Sequence, residues 1–144
     1  MKRIGFLIAC AIFGCTMTFA QAQAGFSVSE TTHDFGTVYS EDGDVSHEFI
    51  VTNTGNAPLE LLNVTASCGC TTPTWTKTPI EPGKTGSIKV TYRAKGRPGP
   101  INRAVTIKTN VQDAPFTVKI IGNVLAEKPT VDMQVKQPNL MNMR

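Results

Sequence analysis

The sequence is poor in the residues that usually build catalytic or metal sites, with two histidines, four cysteines and one tryptophan among 144 residues. His33 and His47 are far apart in the chain, without the spacing typical of zinc ligands and without a base or nucleophile beside them. The formal net charge is +3, and two of these charges are Lys2 and Arg3, so charge gives no reason to expect nucleic acid or an anionic membrane as a partner. These shortages predict that the chain is not an enzyme and has neither a metal site nor a cofactor.

Long apolar runs are also lacking, except at the N terminus. A basic start at residues 1–3, a short apolar stretch and small residues up to Ala24 form the pattern of a secretory signal peptide. The stretch is shorter than the roughly 20 residues of a transmembrane helix, and no later segment is apolar enough to span a membrane. We expect residues 1–24 to be a signal peptide, which places the protein in the periplasm or outside the cell. The alternative is a lipoprotein anchored through Cys15, although the bulky Phe13 precedes it where a lipobox has a small residue.

Alternation of apolar and polar residues dominates the rest of the chain. In Thr85–Arg93 the apolar residues Ile88, Val90 and Tyr92 share one face, and similar alternation recurs in the segments Val45–Asn53, Ala104–Lys108 and Phe116–Ile120. This period of two, with β-branched residues and turn residues between the runs, is typical of β-strands. Residues Glu81–Lys84 predict a type II turn, with Pro82 and Gly83 at its centre.

About seven short strands, each with one apolar face, must pack as two sheets or close into a barrel. For residues 25–124 we predict an all-β, immunoglobulin-like β-sandwich. Cys68 and Cys70, the only cysteines of this region, are too close in sequence for the disulfide that joins the two sheets of antibody domains. In the C-terminal tail, residues 125–144, the pattern weakens, and disorder and an edge strand at Val131–Val135 are the alternatives.

Several motifs, in order along the chain, resemble an exported bacterial family known as domain of unknown function 1573. They are His33–Val38, Phe49–Leu59, Ser67–Thr71, Pro79–Gly83 and Gly122–Val124. The resemblance covers Phe26 to Val124 and extends to immunoglobulin-like modules of the Hydin and major-sperm-protein kind. It implies a β-sandwich in the cell envelope or outside the cell. It implies no activity.

Cys68 and Cys70 are the first candidates for chemistry. Continuing the alternation of Leu62, Val64 and Ala66 places both cysteines on an inward face, as two buried apolar residues or as a local disulfide. Thiol redox chemistry is an alternative. However, a thioredoxin-type site needs two intervening residues and a helix N-terminus, and the sequence predicts neither.

Copper handling is a second chemical alternative. Soft sulfur ligands suit Cu(I), and Met141 and Met143 of the tail are able to join Cys68 and Cys70 as ligands. A blue-copper site is excluded because no histidine follows the cysteines.

Two predicted loops, Ser67–Ile80 and Ala94–Pro100, are the candidate binding surfaces, because loops on a rigid scaffold often carry recognition. Trp75 is the candidate anchor of the first loop, although it is also suited to cover the end of the sandwich. Basic residues, Arg93, Lys95 and Arg97, mark the second loop as an anion site or as a solvated surface. We therefore predict an exported, non-enzymatic binding or structural module of the bacterial cell envelope, with an unknown protein or envelope component as its partner.

Overall fold

The fold consists of β-strands and one short 3₁₀ turn in the computed structural model, which describes residues 23–111 and 114–129. The strands are β1 (Phe26–Val28), β2 (Thr32–Tyr39), β3 (Asp44–Asn53), β4 (Leu61–Ala66), β5 (Thr71–Trp75), β6 (Thr85–Arg93), β7 (Gly99–Thr109) and β8 (Phe116–Leu125), and the 3₁₀ turn is η1 (Ser40–Asp42). No helix among the described residues is long and apolar enough to cross a membrane. Nearly all of the predicted signal peptide, Cys15, the candidate edge strand at Val131–Val135, Met141 and Met143 lie outside the described residues.

Two four-stranded sheets pack face to face. Their strand orders are β1-β3-β6-β5 and β2-β8-β7-β4, and every neighbouring pair is antiparallel except β2 and β8, which are parallel. The predicted β-sandwich is confirmed, with eight strands among the described residues where about seven were predicted. This arrangement is compatible with the immunoglobulin-like subtype.

The inward faces of the central strands form the core. Phe49, Val51, Ile88 and Val90 of the first sheet meet the second sheet's Val105, Ile107, Val118 and Ile120, and none of these side chains is more than 1% exposed. Burial of one such side chain contributes about 1.5–3 kcal/mol, so this double layer is the main source of stability. The alternation in the sequence identified these faces correctly.

The set of β4 residues that faces inward differs from the prediction. A bulge shifts the pairing of β4 with β7 between Leu61 and Asn63, so Leu61 and Val64 are buried and Leu62 is 52% exposed. A bulge adds one residue to a strand and therefore reverses the direction of the side chains beyond it. The predicted turn at Glu81–Lys84 is confirmed, because the Lys84 N–H donates to the Glu81 carbonyl (2.9 Å) and Gly83 has a φ of 74°.

The chain crosses between the sheets near both long sides of the sandwich. Residues 29–31 lead from β1 in the first sheet to β2 in the second, and residues 67–70 lead from β4 back to β5 in the first. As a result β2 lies against β3 along one seam of the sandwich, and β4 lies against β5 along the other. The candidate residues occupy these seams and one end of the molecule.

Candidate functional site

Cys68 and Cys70 form a disulfide in the crossing from β4 to β5, with their Cα atoms 5.3 Å apart. The local disulfide is thus the form that the structure contains. Cys70 is buried and Cys68 is half-buried, and the Thr71 hydroxyl lies 3.8 Å from both sulfurs. Sulfurs bonded to each other are not thiolates, so in this form the pair does not offer the ligands that Cu(I) prefers.

One cation lies in line with the disulfide. Strand β4 pairs with β7 as far as Ala66, and the Ser67 N–H donates to the Ala104 carbonyl (2.9 Å), so Arg103 is the next β7 residue toward Cys68. The Nε atom of Arg103 is buried and has no hydrogen-bond partner among the described residues. No motif in the sequence marked this cation.

Three turns meet at the end of the sandwich that holds the disulfide. We call residues 40–43, 67–70 and 93–98 together the disulfide end. The Ser40 hydroxyl accepts from the Gly96 N–H (2.8 Å) and donates to the Ala94 carbonyl (3.5 Å), which joins η1 to the turn after β6. The Arg93 N–H donates to the Cys70 carbonyl (2.9 Å), which joins that turn to the disulfide crossing. The disulfide end is therefore held by hydrogen bonds between its turns.

The segment that follows β8 also lies at the disulfide end. The Lys128 ammonium lies 2.6 Å from the Asp42 carboxylate, and both side chains are about half exposed. The hydrogen bond to Asp42, and next the negative charge of that carboxylate, raise the pKa of Lys128 above its usual value. The Lys128 N–H also donates to Glu41 (3.3 Å). The segment after β8 thus contacts η1.

All three basic candidates, Arg93, Lys95 and Arg97, are exposed at the disulfide end. Arg93 is the last residue of β6, and the turn that follows is closed by the Arg97 N–H donating to the Ala94 carbonyl (3.1 Å). The predicted loop is shorter than expected, because β7 already begins at Gly99. The structure therefore brings the basic candidates and the cysteine pair to one end of the molecule.

Trp75 lies elsewhere, and its predicted place in a loop is wrong. Residues 71–75 form β5, in which Trp75 pairs with Ile88 of β6. The indole Nε1–H donates to the Leu61 carbonyl of β4 (3.0 Å), and the Lys77 ammonium lies 3.0 Å from the centre of the indole rings. Trp75 thus closes the seam between β4 and β5, toward the end of the molecule opposite the disulfide.

The two histidines occupy the other seam. His33 of β2 and His47 of β3 stack with ring centroids 3.5 Å apart and planes 5° apart. Glu30 Oε1 lies 2.6 Å from His47 Nε2 and 3.5 Å from His33 Nδ1. The expectation that these histidines have no base nearby is therefore wrong, because the Glu30 carboxylate lies beside both. We call Glu30, His33 and His47 the histidine cluster.

The alternation of apolar and polar residues already indicated that both histidines face inward. His47 shares the parity of the inward residues Val45, Phe49 and Val51, and His33 shares that of Phe35. A histidine at an inward position of a strand needs a partner inside the sandwich. The sequence does not say which inward side chain of the other sheet it meets.

A shallow groove of about 510 Å³ lies on the second sheet, where β2 bulges at Gly36. Its lining combines polar residues, among them Asp34 and Asn102, with the apolar residues Pro100, Ile101 and Ile121. Gly36 has a φ of 63°, a conformation that favours glycine, and its N–H donates to the Asp34 carboxylate (2.7 Å). None of the candidate site residues that the structure describes lines this groove.

The chain matches a protein-family model, in agreement with its fold and its motifs. The family model described as "Protein of unknown function (DUF1573)" matches residues 26–124. The chain belongs to this family. The resemblance to domain of unknown function 1573 is therefore confirmed for this DUF1573 protein, and its fold is compatible with the further resemblance to immunoglobulin-like modules.

Solved structures share its fold at low sequence identity. A protein of unknown function from Porphyromonas gingivalis is 21% identical, with a TM-score of 0.62 over 74% of this chain and 50% of that one. The secreted serine protease VesC from Vibrio cholerae is 15% identical, with a TM-score of 0.54 over 76% of this chain and 24% of that one. A family 123 glycoside hydrolase from Clostridium perfringens is 10% identical, with a TM-score of 0.58 over 74% of this chain and 28% of that one.

At these identities the similarity shows the fold alone. The DUF1573 chain spans half or less of the length of each of these proteins. No curated protein matched the chain.

Proposed function

We propose that this DUF1573 protein is an exported, non-enzymatic binding module of the bacterial cell envelope, and that its disulfide end contacts an acidic partner. The observation that carries the proposal is the arrangement of Arg93, Lys95 and Arg97, three exposed cations at the end of β6 and on the turn that follows, which hydrogen bonds join to the neighbouring turns. A surface fixed before binding loses less conformational entropy when a partner docks. Exposed cations favour a partner of opposite charge and speed its association. The acidic residues of the same end, Glu41 and Asp42, are both engaged by Lys128.

Export is supported by two independent features. The first is the signal-peptide pattern of residues 1–24. The second is the disulfide between Cys68 and Cys70, because disulfides persist outside the reducing cytosol. Cell fractionation followed by N-terminal sequencing of the mature protein tests this part, and a cytosolic chain that retains Met1 would contradict it.

The binding proposal is tested by neutralising the three cations together. Immobilised protein and its Arg93→Gln, Lys95→Gln, Arg97→Gln triple variant are compared for retention of envelope components at low and moderate salt. A matched variant replaces Lys89, Lys108 and Lys119, which are also exposed but lie outside the disulfide end, by glutamine. We expect the triple variant to lose a salt-sensitive component that the wild-type and matched proteins both retain. Equal loss in both variants would show that net charge alone is responsible and would contradict the proposal.

Arg103 favours a second candidate function, which is thiol redox chemistry at Cys68 and Cys70. A neighbouring cation stabilises a thiolate and so makes a cysteine more reactive. The buried Nε of Arg103 has no partner among the described residues, and β7 places this residue next in line with Cys68. In this second proposal Arg103 is the activating group for which the sequence offered no candidate.

Redox function is tested by the rate at which a small dithiol reduces the native disulfide. The Arg103→Gln variant is compared with wild type and with Lys108→Gln, which removes an exposed cation from the same strand. Redox function predicts rapid reduction that slows in Arg103→Gln alone. Slow reduction in all three proteins would indicate that the disulfide is structural.

A further inference from the structure

The histidine cluster is not used by the proposed binding function. Glu30 lies in the crossing from β1 to β2, His33 in β2 and His47 in β3, so both sheets contribute to it. One candidate ligand atom from each residue lies within 4.8 Å of the other two. We propose that the histidine cluster binds one divalent transition-metal ion of the zinc class, which connects the two sheets along this seam.

The three side chains have the donor atoms that zinc prefers. Zinc in proteins is usually bound by imidazole nitrogen, thiolate sulfur and carboxylate oxygen, and a site with three protein ligands leaves the fourth position open. With metal–ligand bonds near 2.0–2.2 Å, the ligand atoms of one tetrahedral ion are about 3.4 Å apart. The observed separations from Glu30 Oε1 are 2.6 Å to His47 and 3.5 Å to His33, and the two histidine ligand atoms lie within 4.8 Å of each other, so binding requires shifts of about 1 Å together with rotation of the rings.

The poor hydrogen-bond geometry of one buried nitrogen atom in the cluster also points to a ligand. The Nε2 atom of His47 is buried, and although Glu30 Oε1 is 2.6 Å away, the two do not meet in hydrogen-bond geometry. Buried polar atoms normally have a partner. An ion held between Nε2 and the carboxylate supplies that partner. The Glu30 side chain is 39% exposed, which gives an ion a path from solvent.

Aromatic side chains hold the two imidazole rings in place. Phe35 contacts His33 and Phe49 contacts His47, each edge-on with centroids 4.8 Å apart. Because the lone pair of an imidazole nitrogen lies in the plane of its ring, an ion held by both histidines requires the rings to tilt from their parallel stack. We therefore expect the ion to open the stack while the phenylalanines keep both rings at the seam.

The test is a titration of the full chain, purified without a histidine tag and with its disulfide intact, with Zn²⁺ in a calorimeter. We expect one ion per chain, and an increase in Tm of roughly 5 °C or more when free Zn²⁺ is about 100 times the Kd. A chelator should reverse both effects. The ring-proton signals of His33 and His47 in NMR spectra should shift as the stack opens.

Variants locate the ion. His33→Gln, His47→Gln and Glu30→Gln should each weaken Zn²⁺ binding by roughly 100-fold, because each removes one of three ligands. Glu48→Gln changes an exposed carboxylate on the outer face of β3 and should bind as wild type does. If His47→Gln does not fold, the two other ligand variants decide the outcome.

Three results would overturn the proposal. The first is the lack of saturable Zn²⁺ binding by the native chain, which would leave the cluster as a stacked pair sharing one carboxylate. The second is binding that persists in His33→Gln and Glu30→Gln. The third is binding that disappears only when Cys68 and Cys70 are both replaced by serine, which would place the ion on the sulfurs. None of these results depends on whether the basic turns bind a partner.

Discussion

Replacing Trp75 by phenylalanine tests whether this residue stabilises the sandwich or anchors a partner. The variant keeps an aromatic ring at the seam but removes the N–H that donates to the Leu61 carbonyl at 3.0 Å. Loss of this hydrogen bond costs about 1 kcal/mol. Phenylalanine also attracts the Lys77 ammonium less strongly than tryptophan does, which costs about 0.5 kcal/mol more. We expect the free energy of unfolding to fall by about 1–2 kcal/mol.

The measurement is guanidinium denaturation followed by far-UV circular dichroism, because Trp75 is the only tryptophan and the variant has no indole fluorescence. Lys77→Gln is the matched control: it removes the cation and keeps the hydrogen bond, and should cost no more than about 1 kcal/mol. Unchanged stability in Trp75→Phe, together with loss of a retained envelope component, would refute this reasoning. Trp75 would then be a binding anchor.

Three further predictions concern stability and are measured in the same denaturation assay. Asn53→Ala should lower the free energy of unfolding by about 2–4 kcal/mol, because this buried amide donates to two carbonyls (2.7 and 2.8 Å) and accepts from one N–H (2.9 Å). A smaller loss than in Asn63→Ala, which changes an exposed residue, would contradict this stabilising role. Gly83→Ala should cost about 1 kcal/mol because of its positive φ, whereas Gly69→Ala, with open space around it, should be nearly neutral. Replacing both cysteines by serine should cost about 1.5 kcal/mol at most, since the disulfide closes a very short loop; a much larger loss would show that it organises the disulfide end.

Local patterns predicted the individual strands well. Thr85–Arg93 was delimited correctly because its alternation continues without a bulge and both of its ends are marked by turn residues. The turn at Glu81–Lys84 was predicted for a similar reason, since a proline followed by a glycine restricts the backbone whatever surrounds it. These features depend on residues that are neighbours in the chain.

Strand β5 was missed because its own residues carry little signal. Residues 71–75 contain a proline and three threonines, and they are in a strand because they pair with β6 at the edge of the sheet, where proline is tolerated. The error with Leu62 is similar, because the bulge in β4 depends on its partner β7. In both cases the decisive hydrogen bonds join residues far apart in sequence.

The sequence by itself determined the class of fold and the inward residues of most strands, because hydrophobic periodicity is read within a few residues, and its motifs carried the resemblance to the family. Only the tertiary structure decided which inward residues meet across the two sheets. Neither the stacking of His33 on His47 nor the bond from Trp75 to Leu61 follows from periodicity. Contacts between sheets depend on where the chain crosses from one to the other, and those crossings are set by the packing of the whole sandwich.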